Sequence, residues 1–476
     1  MLRRKLAAAL MLYAFLLPIV AFGQTAAAPQ KIYTAPDDVI AKIKDEGMNK
    51  SQVMQTLSYL SDVIGARLTG SPALKRANEW TRDTMSKWGL KNAHLEAWGP
   101  FGRGWELERF SAQVIAPYDI PLIAYPKAWS PATNGVLNAD VVYLDAKDDA
   151  ALEKYKGQLK GKIVLISAPH EIKANFEPLG VRYSDTSLAE MAAFDPANPP
   201  KNNRRAGTPD QMQRRMESFI SNAKRANFVI DEGAAMVVDS SPRGTGGTLF
   251  VQSANVAQDV PANPQEYFSR KRLQPYDKAA ESKMIPQITL AAENYNRLVR
   301  MIQFGEKLQM SVNVQSKYVD NDDKAYNTIA EIPGTDPQLK DQVVMVGGHM
   351  DSWHSGTGAT DNGAGVAVAM EAARIIQSLG LKPRRTIRVG LWTGEEEGLL
   401  GSRAYVKQHF GEMQGAQNQF GPPAPNAPKP TLMKGADYEK LDAYFNLDNG
   451  TGKIRGVYLQ GNNAAAPIFE RWLPPF

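Results

Sequence analysis

Between residues 37 and 87 apolar side chains recur at helical spacing, at Val53, Leu57, Leu60 and Ile64 and again at Trp80, Met85 and Trp88, with Gly70-Ser71-Pro72 as a break. That pattern predicts a helical lead-in. From about 112 to 290 the period shortens to β-rich runs at 136–144, 163–167, 234–238 and 285–290, separated by Pro- and Asn-rich loops such as 196–203 and 261–264. A separate β-rich unit is expected there. After Val319 strands at 327–332, 343–348, 386–392, 441–447 and 456–460 alternate with helices at 364–379 and 399–410. Such alternation predicts an α/β domain with a mainly parallel sheet. The stretch 411–430 holds Gly421-Pro422-Pro423 and Pro428-Lys429-Pro430 and is expected to be a long surface loop.

Before these elements, residues 1–23 read as a secretory signal: Arg3, Arg4 and Lys5, an apolar run from Leu6 to Phe22, and small Ala21 and Gly23 ahead of Gln24. The run is short, contains Pro18 and is followed by a polar, Ala-rich linker, so a lasting membrane anchor is not expected. The product is expected to be secreted or periplasmic. The chain has 476 residues, 43% hydrophobic and 22% charged, which suits a folded protein of two or three units. Three cations of the +5 formal charge belong to the leader, and the rest of the charge is mixed in sign, so no nucleic-acid footprint is expected. The absence of cysteine excludes disulfides, Cys-based zinc sites and a thiol nucleophile.

Ligands of open α/β sheets bind beyond the carboxyl ends of the strands. The polar residues at those ends are His349 and Asp351, then Glu395 and Glu396, then Asp448, with Asp361 in a Gly-rich turn leading into a helix. One imidazole and several carboxylates on one edge suit Zn²⁺. Alone, each residue also fits an ordinary structural role: a bonded histidine, a solvated acidic run at a helix start, a turn. Their joint order carries the functional reading. Asp351, two residues after His349, can orient its imidazole, while adjacent Glu395 and Glu396 diverge, so that one can bind metal and the other act as general base. A nucleotide loop at 356–365 fails for want of the Lys-Ser/Thr pair and of G-x-G-x-x-G spacing, and no G-x-S-x-G elbow marks a serine nucleophile.

The motifs Gly347-Gly348-His349-Met350-Asp351-Ser352-Trp353, Ala359-Thr360-Asp361-Asn362-Gly363, Gly394-Glu395-Glu396-Glu397-Gly398 and Asn446-Leu447-Asp448 resemble the co-catalytic zinc exopeptidases of metallopeptidase family twenty-eight, the carboxypeptidase Q branch in particular. Gly65 to Ser71 fits that branch too. Segments 159–166 and 233–238 are similar to a protease-associated domain. The resemblance implies a three-layer zinc-exopeptidase fold with a β-rich protease-associated-like insert: leader 1–23, lead-in and first part of the peptidase domain 24–123, insert 124–290, and peptidase domain 291–476. It also implies two zinc ions bridged by Asp361 and a hydroxide. His349 and Asp448 would hold one ion and Glu396 the other, with Glu395 as base and a non-proline cis peptide after Asp361. Short peptides are the implied substrates, and a homodimer stays open.

One departure bears on activity. The family's second ion takes a histidine well downstream of the position matched by Asp448, whereas the last histidine here is His409. A peptidase domain lacking its C-terminal part is therefore expected, with one zinc ion held firmly and the second weakly. A non-catalytic binding protein on the same fold and a single-zinc acyl transferase of the glutaminyl cyclase type are the alternatives.

Overall fold

The computed structural model describes residues 32–178, 180, 182–193, 209–241, 243–261, 266, 272–320, 322–415, 430–448 and 452–476. The leader and most of the loop expected at 411–430 lie outside the described residues. In chain order the strands are β1 (Lys91–Trp98), β2 (Gly104–Ala116), β3 (Ile120–Pro121), β4 (Ala124–Pro126), β5 (Leu137–Tyr143), β6 (Ile163–Leu165), β7 (Met236–Ser240) and β8 (Gln287–Leu290). They continue with β9 (Gln309–Val319), β10 (Ala325–Ile332), β11 (Val343–His349), β12 (Thr386–Trp392), β13 (Gly411–Gln414), β14 (Thr431–Lys434) and β15 (Leu441–Asn446).

Residues 45–455 form one unit holding three sheets. The first has the order β1-β10-β12-β11-β15. β11 runs parallel to β12 and β15, but β10 is antiparallel to β12 and β1 antiparallel to β10. The sheet is thus mixed, and the expected mainly parallel sheet is corrected: parallel pairing is confined to the strands joined by helical crossovers, while β10 runs opposite to both its neighbours, so that β1 and β12 share the sense of β11 and β15. The helices Pro72–Lys87 and Ala364–Ser378 cover it, burying Leu74, Ala77, Met85, Val366, Met370 and Ala373 against Ala330, Val389 and Leu391. Ser71 caps the first of these helices by accepting from the Leu74 amide, with Pro72 at its start, so the break seen in the sequence is a helix N-terminus.

The second sheet has eight strands in the order β3-β2-β9-β5-β6-β7-β8-β4. β6 and β7 lie centrally, as the apolar runs suggested, because both their faces are apolar: Ile163, Leu165, Met236 and Val238 join one buried cluster and Val164 and Val237 another. The sheet extends past the expected 124–290 bounds, since β2 and β9 pair along almost their whole lengths and attach to it through β5. It also carries a helix the β-rich reading missed, Pro209–Asp231, whose Val229 packs with Leu159 and Val237. Two shorter expectations change as well. β13 and β14 form a two-stranded antiparallel ribbon at the borders of the expected loop, and 456–460 is not a strand.

The second unit comprises, among the described residues, 32–44 and 456–476. In it the helix Ala466–Trp472 is tied to the segment before residue 37, Trp472 donating its indole N–H to the Tyr33 carbonyl at 2.7 Å. Among the described residues no helix is long and apolar enough to cross a membrane.

Candidate metal centre

The carboxyl ends of β11, β12 and β15 meet at one edge, and glycine lets the backbone close there. A Cβ on Gly347 would lie 2.1 Å from the Gly390 carbonyl oxygen, and one on Gly365, in the first turn of the helix Ala364–Ser378, 2.2 Å from that of Leu447. The Asn362 side chain locks this approach, donating to Leu447 O at 2.9 Å and accepting from the Gly365 amide at 3.0 Å. The Asp361–Asn362 peptide is cis, as the resemblance implied. The turn before it, starting at left-handed Gly358, thereby swings Asp361 over the end of β11.

His349 ends β11 and is 2% exposed. Its Nδ1 lies 3.1 Å from the Asp351 carbonyl oxygen and 3.6 Å from Asp351 Oδ1. With the proton on Nδ1, directed at Asp351, Nε2 offers its lone pair outward. Around Nε2 stand Asp361 Oδ1 at 3.0 Å, Asp448 Oδ1 at 3.2 Å and Glu395 Oε2 at 3.8 Å. Ligand atoms of His349, Asp361 and Asp448 all lie within 4.8 Å of one another.

Three carboxylates facing one nitrogen require a positive charge among them. Without a metal the imidazolium supplies it: burial alone would push His349 down, but Asp351, Asp361 and Asp448 outweigh burial and hold the ring well above its ordinary value. The hydrogen bond from that ring in turn lowers Asp361. The acids on β12's loop move the other way. Burial, reinforced by Asp361 and Asp351, pushes Glu396 up to about 8. Burial also raises Glu395, and Glu397 further still. A divalent cation would relieve all of this, and one imidazole with two or more carboxylates is a donor set that zinc accepts. The residues present fit the ion.

Asp351 has no solvent exposure, and its Oδ2 accepts from the Glu396 amide at 3.1 Å and the Thr69 hydroxyl at 3.3 Å. It thus ties the end of β11 to the loop after β12. Glu396 itself lies outside the three-residue cluster and lines a neighbouring cleft of about 210 Å³, together with Glu397, Trp129, Tyr276 and Trp353. The other histidines stand apart. His354 donates from Nε2 to the Pro126 carbonyl at 2.7 Å, His409 Nε2 lies 2.9 Å from Glu96, and His94 Nδ1 faces the Asn92 carbonyl. The sequence reading did not single out Arg67. Its guanidinium is fully buried and donates to the carbonyls of Leu60, Gly65, Met350, Thr357 and Gly358, clamping the loop that follows His349. Burial lowers it to about 10. Its one signal was its place in the Gly65 to Ser71 motif; of the cleft's aromatic residues only Trp353, which ends the Gly347 to Trp353 motif, carried one.

Residues 327–473 match the family model "Peptidase family M28". Carboxypeptidase Q of Bos taurus is 28% identical over 367 residues, which is 76% of this chain and 62% of that protein. Carboxypeptidase Q of Xenopus laevis is 41% identical over 126 residues, 26% of each chain, and leupeptin-inactivating enzyme 1 of Streptomyces exfoliatus is 47% identical over 81 residues, 17% of this chain and 18% of that one. This chain thus spans about three fifths of the length of the first of these relatives. Among solved structures, a peptidase M28 precursor from Shewanella amazonensis SB2B superposes with a TM-score of 0.54 at 22% identity, covering 91% of this chain and 78% of that one, which shows a shared fold. Over residues 327–473 the chain is thus similar to peptidase family M28.

Proposed function

We propose that this protein is an exported zinc exopeptidase that hydrolyses dipeptides or the terminal bonds of short peptides. The observation that carries the reading is His349 Nε2 ringed by Asp361, Asp448 and Glu395 at the carboxyl edge of the sheet. His349, Asp361 and Asp448 would hold the ion, and Glu396 with Asp361 a second. Two carboxylates without an imidazole hold zinc weakly, so one equivalent should bind firmly and the second only at high concentration.

When bound, zinc polarises the scissile carbonyl and acidifies a water. The chain's own residues do the rest. Glu395, half-buried and 3.8 Å from His349, is placed beside the ligands without joining the three-residue cluster. Its carboxylate accepts the proton of the attacking water and returns it to the leaving amine. Burial, which raises its proton affinity, suits it to that shuttle. Asp351 keeps the imidazole proton on Nδ1 and so keeps Nε2 available to the ion. Export rests on the leader pattern of residues 1–23.

Glu395→Gln is the test, because the amide keeps the shape but cannot accept a proton. Dipeptide hydrolysis should fall by about 10²–10⁴-fold with bound zinc unchanged. Parallel loss of zinc would make Glu395 a ligand, and unchanged hydrolysis would remove it from the reaction.

A further inference from the structure

We infer that His94, Glu96 and His409 form a second metal site, which takes a divalent cation of the zinc or copper type. The site is built apart from the centre at His349. β1 lies three strands from β11: His94 pairs with Ile329, Ile329 with Gly390 and Gly390 with Gly347, a span of roughly 14 Å at ~4.8 Å per strand. The proposed peptidase chemistry therefore does not enter the argument.

His94 and Glu96 are two apart on β1, so their side chains leave the same face of the strand. His409 reaches them from the end of the helix Leu400–His409, whose Tyr405, with the adjoining Phe410, packs against Ile329 and Trp392 in one buried cluster. Glu96 thus stands between two imidazoles. Its Oε1 lies 2.9 Å from His409 Nε2 and its Oε2 lies 3.7 Å from His94 Nε2. Two donors each ~2.0–2.1 Å from a tetrahedral zinc ion are about 3.3 Å apart, a value between those two separations.

The protons decide what the rings can offer. His94 Nδ1 lies 2.7 Å from the Asn92 carbonyl, which can only accept, so the neutral ring carries its single proton on Nδ1. Its Nε2 lone pair then faces a carboxylate oxygen, acceptor against acceptor. His409 stands between two acids, with Nε2 at Glu96 and Nδ1 3.6 Å from Asp437 Oδ2. A neutral ring has one proton for the two, so one carboxylate always faces a bare nitrogen. The Asp437 amide donates to the His409 carbonyl at 3.0 Å and Lys440 occupies Asp437 Oδ1, which keeps Oδ2 beside the ring. A cation at Glu96 removes both conflicts. Each ring keeps its proton on Nδ1, directed at the Asn92 carbonyl or at Asp437, and gives Nε2 to the metal, as when an outer acceptor orients a metal-binding histidine. Two imidazoles and a carboxylate, with water in the fourth place, suit Zn²⁺ or Cu²⁺.

Among the described residues only the His349 cluster already brings three donor atoms within 4.8 Å of one another. The last closure here falls to His94, whose side chain is 41% exposed and has room to tilt. A site this open gives up its ion on dialysis, so zinc that survives dialysis still reports the centre at His349.

The experiment adds Cu²⁺ alone to the full chain carrying His349→Ala, which removes the imidazole of the first centre, and counts bound imidazoles by pulsed electron paramagnetic resonance. One equivalent of Cu²⁺ should show two. The further change His94→Ala should leave one and weaken copper binding by about a hundredfold or more, and His409→Ala should do the same. Asp437→Asn, which touches only the outer acceptor, should keep both imidazoles and cost about tenfold in affinity. Where His409→Ala fails to fold, the change at exposed His94 carries the test. One imidazole or none in the His349→Ala chain overturns the inference, since the two rings would then hold protons and no metal. So does a two-imidazole signal that survives His94→Ala, which would place the ion on other histidines.

Discussion

In the middle of the eight-stranded sheet Ile163, Leu165, Met236, Val238, Ile288 and Leu290 are closed to solvent within one apolar cluster. At the carboxyl edge of the five-stranded sheet the equally buried positions are His349, Asp351, Ser352, Asn362 and Thr393. Apolar burial is favourable without regard to direction, whereas a buried polar group costs free energy unless a partner meets it. The five-stranded edge meets most of that cost with named bonds: Asn362 to Leu447, Thr393 to Asn327 and Asp351 to Thr69 and Glu396. What it leaves open is informative. Among the described residues every buried carboxylate oxygen without a partner, in Asp351 and Glu397, lies at this edge. The partnerless buried atoms of the eight-stranded sheet, Ser240 Oγ and Asn313 Oδ1, belong to neutral groups, whereas those at the five-stranded edge belong to acids.

That contrast breaks most sharply at His349. His349→Ala removes the imidazole around which three carboxylates gather, so firmly bound zinc and dipeptide hydrolysis should both be lost, measured by metal content after dialysis and by amine release. Retention of the zinc would take His349 out of the coordination sphere and remove the basis for calling this edge unfinished. The folded state, in contrast, should survive if His349 serves as a ligand, since the apolar cluster under the sheet does not include it.

The matching change in the other sheet should act the opposite way. Leu165 is wholly buried at the centre of the eight-stranded sheet, and Leu165→Ala deletes packing that its neighbours cannot fully recover. A loss of about 2–5 kcal/mol in unfolding free energy is expected from denaturant titration. Zinc per folded molecule should stay at the wild-type level. A drop in zinc content would mean that the two sheets are coupled, and the division drawn between them would fall.

The two sheets also differ in how far the sequence announces them. β11, β12 and β15 are bounded by the polar residues and glycines that the site needs, so strand ends and candidate ligands could be read together from His349, Glu395 and Asp448. The same local reading found β6 and β7 from their short apolar runs. It missed the extent of their sheet, because β2 and β9 come together from about two hundred residues apart and no short-range pattern encodes that pairing. The helix Pro209–Asp231 was hidden by the Asn- and Pro-rich segment before it, which drew the reading toward loop. The cleft was illegible for a related reason: Trp129 and Tyr276 stand far from every motif, and Trp353, though it ends one, meets them only when three loops are brought to one place.

The smallest expected effect separates two histidines that are only five residues apart. His349 is buried among carboxylates and His354 among rings, edge-on to Trp105 and tilted against Tyr125, with Lys127 close enough to add repulsion. Burial lowers His354 to about 4, so the folded protein keeps this ring neutral, its Nε2–H donating to Pro126 O. In the unfolded chain the ring titrates near ~6.5. As pH falls below that value, the unfolded state takes up a proton that the folded state refuses, and stability drops until His354 itself titrates near 4. Above the unfolded value the ring imposes no pH dependence. At pH 5 the loss is about 2 kcal/mol, one and a half units at ~1.4 kcal/mol each. His354→Gln retains a donor for Pro126 but does not titrate, so the difference between wild type and variant isolates this ring from the acids of the metal centre. Denaturant melts of the pair at pH 7.5 and pH 5 should show the wild type losing about 2 kcal/mol more than the variant. An equal loss in both would show that protonation of His354 is accommodated where it sits, and that its burial among rings does not distinguish it from His349 after all.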